Sequence, residues 1–563
     1  MSDVSAERGA GPRARRPRPF RAAMRTLRAD LRAAWALLYV RHGLAGMALI
    51  ALGAYTPAFL PPDSPILELL HLDWLADGPS RVVATGLIIG GMAILVHAWL
   101  RLRPTRTSGP LPTSTWLIWA APVMLTPPLF SRDTYSYAAQ GLIVDRGMDP
   151  YATAPISVPG SFADQVDAMW LYTPAPYGPL ALQLQHLVVD LTFGNAFVAS
   201  VAMRIPAVAA VAVVALLLPR LAARVGVDPR GAVWLGVLNP LVVLHLVGGA
   251  HNDAMMIACV VLGLYLAADG RLGAGALAVA AGAGFKQTAV LALVGVAGLA
   301  ARRIHGGLTP PRRDYLLVAL HTGLVAFAGF VALTLASGLG WGWVPNLSVP
   351  MALRSYLAPT TLLGSIVQLG LSAAGAPAAW VAQPVPAAQA LGAIVAVGTL
   401  LWLTWSVAPR HPLGSAAAAF TVVVACGPVM QPWYLLPCLV LYGVAHSSRR
   451  VVQGTVWLTI GLVGYSAFDV GMANGVPLLA AAILAYTLVR LARSRTDLVD
   501  APLYDRDVEP GPGPDGVAGG TVGAGDGDGR GAGYPVVELP SEPRPDEHLA
   551  TAPPPPPREA EST

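Results

Sequence analysis

The stretch TSTWLIWAAPVMLTPPLFSRDTYSY, residues 113–137, decides how this chain is to be folded. Residues 113–130 carry no charge and read as a membrane span. The run then ends in Ser131-Arg132-Asp133-Thr134-Tyr135-Ser136-Tyr137. Charged and aromatic residues gather where hydrocarbon meets water, so this junction marks a membrane edge. The chain's longest central polar stretch, 131–195, begins here.

The same pattern recurs throughout. Of 563 residues, 54% are hydrophobic and only 12% charged, about half the charge of an ordinary globular domain. Mean hydropathy is +0.56. Apolar runs occur at 43–60, 82–100, 113–130, 196–219, 231–250, 254–268, 272–285, 287–301, 315–336, 387–408, 413–430, 433–447, 453–470 and 475–491, with a further short run near 359–373. They lack the every-second-residue alternation of a membrane barrel, so the expected fold is all-α and polytopic. About 12–15 transmembrane helices are expected.

Residues 1–38 hold nine arginines and read as an Arg-rich arm passing into an interfacial helix near 20–38. The first apolar run lies behind this arm and reads as a span rather than a cleavable signal. Residues 39–494 form the membrane module. Residues 495–563, with a Gly- and Asp-rich stretch and the tract Pro553–Pro557, have the composition of a disordered tail. The arginine clusters (101–106, 220–230, 302–313, 449–450 and 490–495) all fall on one side if the runs alternate. Positive charge favours the cytoplasm, so both termini are expected there. The opposite, outer side then receives 61–80, with Asp63, Glu68, Asp73 and Asp77, together with 131–195, 251–253, 286, 337–386 and 431–432. Within 131–195, segments 134–147 and 178–193 are expected as amphipathic helices lying on the membrane.

Several polar groups on that outer side are candidates for chemistry. Asp133 is either an interfacial anchor or a general base able to deprotonate a hydroxyl. Arg132, Tyr135 and Tyr137 flank it, and Tyr177 lies in a Pro-rich aromatic segment, 172–179. His251-Asn252-Asp253 is either a helix cap or a hydrogen-bonding set. Lys286 is the sole lysine among 37 basic residues and sits inside an apolar stretch, where an ionisable group is a functional candidate by default. Arg204, eight residues into its span, and Arg354, in a loop with Trp341, Trp343, Asn346 and Tyr356, are alternative partners for a phosphate. Gln431, Trp433 and Tyr434 interrupt a later apolar run as Gln-Pro-Trp-Tyr. Cys259, Cys426 and Cys438 lie in apolar runs and form neither a disulfide framework nor a zinc spacing. No P-loop, dinucleotide fingerprint or soluble nucleotide domain is present, and the basic excess is too dispersed for nucleic acid.

Taken together, Ser131-Arg132-Asp133-Thr134-Tyr135-Ser136-Tyr137-Ala138-Ala139-Gln140-Gly141, Gly147-x-Asp149-Pro150-Tyr151, Pro176-Tyr177-Gly178-Pro179, His251-Asn252-Asp253-Ala254 and Gln431-Pro432-Trp433-Tyr434 resemble the actinobacterial polyprenol-phosphomannose-dependent α-1,6-mannosyltransferases of the GT-C superfamily. The resemblance spans roughly residues 40–490. It implies a GT-C bundle, a polyprenyl-phosphate mannose donor, a lipid-linked mannan acceptor of the lipomannan and lipoarabinomannan type, and chemistry on the outer face of the plasma membrane. It also implies that Asp133, the acidic residue opening the first large external loop, is essential. A divalent cation meeting Asp133 and Asp253 is compatible with the resemblance; no other cofactor is implied. Two other readings share these features: a transferase using another polyprenyl sugar such as arabinofuranose, and a transporter or flippase of a lipid-linked sugar. The chain shows no internal repeat of the kind that secondary transporters carry.

Overall fold

In a computed structural model the chain is all-helical. The structure describes residues 19–493 except 57, 62–63, 65, 73, 75–77, 106–107 and 350–354. Asp63, Asp73, Asp77, Arg354 and the stretch 495–563 therefore lie outside the described residues.

Among the described residues six helices are long and apolar enough to cross a bilayer: Gly78–Arg101, Ala196–Arg224, Gln287–Ile304, Arg312–Ser337, Ala378–Val407 and Arg449–Ala473. Two bent pairs, Arg21–Ala36 with Leu38–Leu52 (88°) and Pro229–Val237 with Val242–Gly248 (57°), raise this to eight if each is one span. Shorter apolar helices such as Asp253–Ala268, Leu272–Phe285 and Pro412–Cys426 fill the bundle. The chain is a multi-pass membrane protein.

Two expectations are corrected. The run 113–130 is not one helix. It gives Thr115–Ala120, a 3-10 turn Ala121–Val123, and then irregular chain. Pro122, Pro127 and Pro128 each lack an N–H donor and clash with the preceding turn. The helix Asp133–Asp145 is found, but it is not amphipathic, since residues Thr134 to Gly141 are all buried. Pro179–Leu191 and Ala196–Ala202 cover it. A Cβ on Gly141 would lie 2.5 Å from the carbonyl oxygen of Gln185, so only glycine allows that approach.

The irregular chain after Val123 needs partners for its carbonyls, because unsatisfied backbone groups are costly away from water. Arg204 supplies them. It is 1% exposed. Its guanidinium donates to the carbonyls of Met124, Thr126, Pro127 (2.6 Å) and Gly248 (2.9 Å), and to the Thr126 hydroxyl. The Leu129 N–H also donates to the Gly248 carbonyl at 3.0 Å. One guanidinium thus ties the segment leading to Asp133 to the segment leading to His251. Each segment then turns through a left-handed residue without being glycine, Phe130 (φ 59°) and Ala250 (φ 48°). Such backbone persists only where surrounding contacts over-determine it.

Arg204→Met removes every guanidinium donor and leaves the Met124 and Thr126 carbonyls unpaired, while those of Gly248 and Pro127 keep the Leu129 N–H and the Thr126 hydroxyl. It should lower stability by about 3 kcal/mol or more. Arg204→Lys should rescue little, because an ammonium cannot reproduce the planar fork. Thermal unfolding of the detergent-solubilised variants checks both outcomes.

Candidate active site

Asp133 is the first residue of helix Asp133–Asp145. Its own N–H is held by the Ser131 hydroxyl at 3.0 Å. One carboxylate oxygen accepts a hydrogen bond from the Trp170 indole N–H at 3.0 Å. The other stands 3.5 Å from His251 Nδ1. That is too long to be a hydrogen bond, and both His251 ring nitrogens are without a partner. The carboxylate is 14% exposed. Burial pushes its pKa from 3.8 up to about 6, against the opposing pull of Trp170, Ser131 and Lys286. The sign follows from the folded state holding the proton more tightly: this group's contribution to stability falls as pH rises from about 4 to about 6.

His251 is fully buried, with its ring stacked on Trp433 at 3.9 Å and 14°. Asn252 precedes helix Asp253–Ala268 but makes no side-chain cap bond, so the capping role open from sequence is not realised. Asp253 instead holds Lys286, with Nζ at 2.8 and 2.9 Å from its two oxygens. Lys286 stands where helix Leu272–Phe285 unwinds, in extended conformation before the 3-10 turn Gln287–Ala292. Its ammonium also lies 3.8 Å from the centre of the Tyr434 ring. Tyr177 meets Tyr137 edge-on at 5.2 Å. Gly178 fixes the Pro-Tyr-Gly-Pro segment against this break, because a Cβ there would lie 2.4 Å from the Gly284 carbonyl oxygen.

These groups line two adjoining cavities. One, of about 280 Å³, is mostly apolar, with Phe420, Val423, Val424 and Pro428 on its walls and Asp253, Lys286 and Tyr177 among its polar lining. The other, of about 520 Å³, is the more polar and contains Arg132, Asp133, Gln431 and Trp433. Trp170, Val429 and Tyr434 line both and so form the wall between them.

Two of the expected residues do not join the cluster. Arg204 is wholly engaged with carbonyls, as described above. Tyr135 turns away, donating its hydroxyl to the Phe59 carbonyl at 3.3 Å. Arg354 lies outside the described residues. Arg132 lines the polar cavity while donating to the Leu60 carbonyl at 3.0 Å and lying 4.0 Å from Asp167. Among the described residues no three His, Cys, Asp or Glu side chains gather in a way that could hold a metal ion. Trp170 is the residue that sequence reasoning missed. It sits in a four-residue helix, Ala168–Leu171, whose cap Asp167 receives the Met169 N–H at 3.0 Å. A tryptophan in a loop too long to be a simple connector was the available signal.

The Lys286–Asp253 pair is nearly buried, at 17% and 4% exposure. Asp253→Asn leaves an unpaired ammonium and should cost about 3 kcal/mol. The double variant Asp253→Asn/Lys286→Gln should recover most of that loss, as read by denaturation of the two proteins side by side.

Residues 40–302 match the family profile described as "Alpha-(1->6)-mannopyranosyltransferase, N-terminal domain", and residues 360–493 match "MptB C-terminal domain". The chain is 31% identical over 431 residues to alpha-(1->6)-mannopyranosyltransferase A of Mycobacterium tuberculosis, covering 74% of this chain and 82% of that protein. It is 30% identical over 467 residues to alpha-(1->6)-mannopyranosyltransferase B of Corynebacterium glutamicum, covering 75% and 74%. It is 27% identical to the A enzyme of the same organism, covering 80% of this chain and 97% of that protein.

Proposed function

This chain belongs to the alpha-(1->6)-mannopyranosyltransferase family, and from its two adjoining cavities we propose that it moves mannose from polyprenyl-phosphate mannose to a lipid-linked mannan acceptor. The observation that carries this reading is the division of labour between the cavities. The apolar one suits an isoprenoid chain and holds Lys286, an ammonium able to receive a phosphate. The polar one suits a glycan and holds Asp133. A sugar bridging the shared wall at Trp170 and Tyr434 would meet both. The arginine clusters on the opposite side support a site on the outer face of the plasma membrane, with both termini cytoplasmic.

The mechanism is a single inverting displacement. The Asp133 carboxylate takes the proton of the acceptor 6-hydroxyl. The oxygen attacks the anomeric carbon of the donor as the bond from that carbon to phosphate breaks. A β-linked donor gives an α product, and polyprenyl phosphate leaves with the bonding electron pair. Lys286 stabilises the charge growing on the phosphate, most strongly because the site is poor in water. Asp253 and the Tyr434 ring hold the ammonium in place. His251, pressed against Trp433, backs the second oxygen of Asp133.

Purified protein supplied with polyprenyl phosphomannose and a dimannoside acceptor in detergent tests the reading. Transfer without any compartment to cross excludes a flippase, and a parallel arabinofuranosyl donor tests sugar choice. Asp133→Asn should lose roughly 10²–10⁴ of the turnover. Retention of normal turnover would remove Asp133 as the base. The base must be ionised, so wild-type kcat/KM should rise with pH through about 6. Trp170→Phe deletes a hydrogen bond that favours the carboxylate, so this acidic limb should move to higher pH.

A further inference from the structure

The polar cavity is also lined by two side chains that the displacement does not use. Tyr465 and Asp469 come from the spanning helix Arg449–Ala473, four residues apart and so on one face of it. Asp469 makes no hydrogen bond and no ion pair among the described residues. It is an exposed side chain one turn from the C-terminal end of that helix, at the level where charged groups meet water. Here it faces the same cavity as the proposed base. The remaining walls bring in the rings of Phe130, Trp433 and Tyr434.

A carboxylate and a phenol on one wall, with aromatic rings elsewhere in the lining, form a set suited to a pyranose. The carboxylate accepts hydrogen bonds from two neighbouring hydroxyls, and the rings cover the sugar's C–H face. A phosphate does not suit this wall, since among the described residues the cavity sets three carboxylates, Asp133, Asp167 and Asp469, against the single cation Arg132. We infer that Tyr465 and Asp469 form the acceptor subsite, binding ring hydroxyls of the acceptor's terminal pyranose so that its primary hydroxyl points at Asp133. The inference rests on the proposed assignment of the polar cavity to the acceptor. It makes Asp469 a substrate-binding residue with no part in proton transfer.

The test uses the full chain in detergent micelles, with polyprenyl phosphomannose as donor and an α-1,6-linked dimannoside as acceptor. Asp469→Asn keeps the shape and removes the charge. Losing charge-assisted hydrogen bonds to the sugar should raise the acceptor KM about tenfold or more. The donor KM and the acidic limb of the pH profile should stay where they are. Tyr465→Phe should raise the acceptor KM by a smaller factor. Singly deoxygenated dimannosides should be discriminated against by the wild type and no longer so by Asp469→Asn, which marks the hydroxyls bound. Thermal unfolding of both variants should match the wild type, so that loss of affinity is not loss of fold. An unchanged acceptor KM in Asp469→Asn, or a rise in the donor KM instead, overturns the subsite. If the wild type itself transfers no mannose to the dimannoside, the functional assignment fails before the subsite is reached. The two failures are therefore distinct.

Discussion

Everything in the centre of this molecule depends on one buried cation answering a shortage of hydrogen-bond donors. The proline-rich chain after Val123 cannot form a helix, so its carbonyls would face a low-dielectric interior unpaired. Arg204 gathers those of Met124, Thr126 and Pro127 and reaches across to Gly248. The two strained turns at Phe130 and Ala250 follow immediately, and each delivers one half of the cluster. The distance between Asp133 and His251 is thus set by a residue that touches neither.

The second constraint is electrostatic. Lys286 and Asp253 stand on one side of a thin wall and Asp133 on the other, with Trp170 and Tyr434 between. Opposite charges held in separate cavities avoid neutralising each other outright. Lys286 is satisfied by Asp253 and by an aromatic face, while burial raises the affinity of Asp133 for protons and Trp170 gives it a nearby hydrogen-bond donor. A group transferred across such a wall meets a proton acceptor on one side and a cation on the other. That asymmetry is what a displacement with an anionic leaving group requires.

Much of the candidate site was legible because membrane segments make polar residues conspicuous. Asp133, His251, Asp253, Lys286, Trp433 and Tyr434 each interrupt or terminate an apolar run, and the fold brings them together. Arg204 had the same signature yet belongs to the scaffold. Intramembrane position shows only that a charge must be satisfied, not by what. Trp170 and Asp469 carried no strong signal in the sequence for the opposite reason. A tryptophan in a loop and an aspartate near the end of a span are ordinary until a cavity is seen beside them.

The sequence by itself determined the class of the fold, the helical membrane bundle, because hydrocarbon admits no other economical way to satisfy a backbone of this composition. It also determined the family, through short motifs whose order along the chain is informative. Tertiary structure alone decided which motifs face one another. It decided that the run 113–130 breaks, that helix Asp133–Asp145 is buried on all sides, and that the polar residues divide between an apolar and a polar cavity. Those outcomes rest on contacts between segments far apart in the chain. The pairing of Arg204 with Gly248 or of Lys286 with Asp253 leaves no periodicity in a sequence from which it could be read.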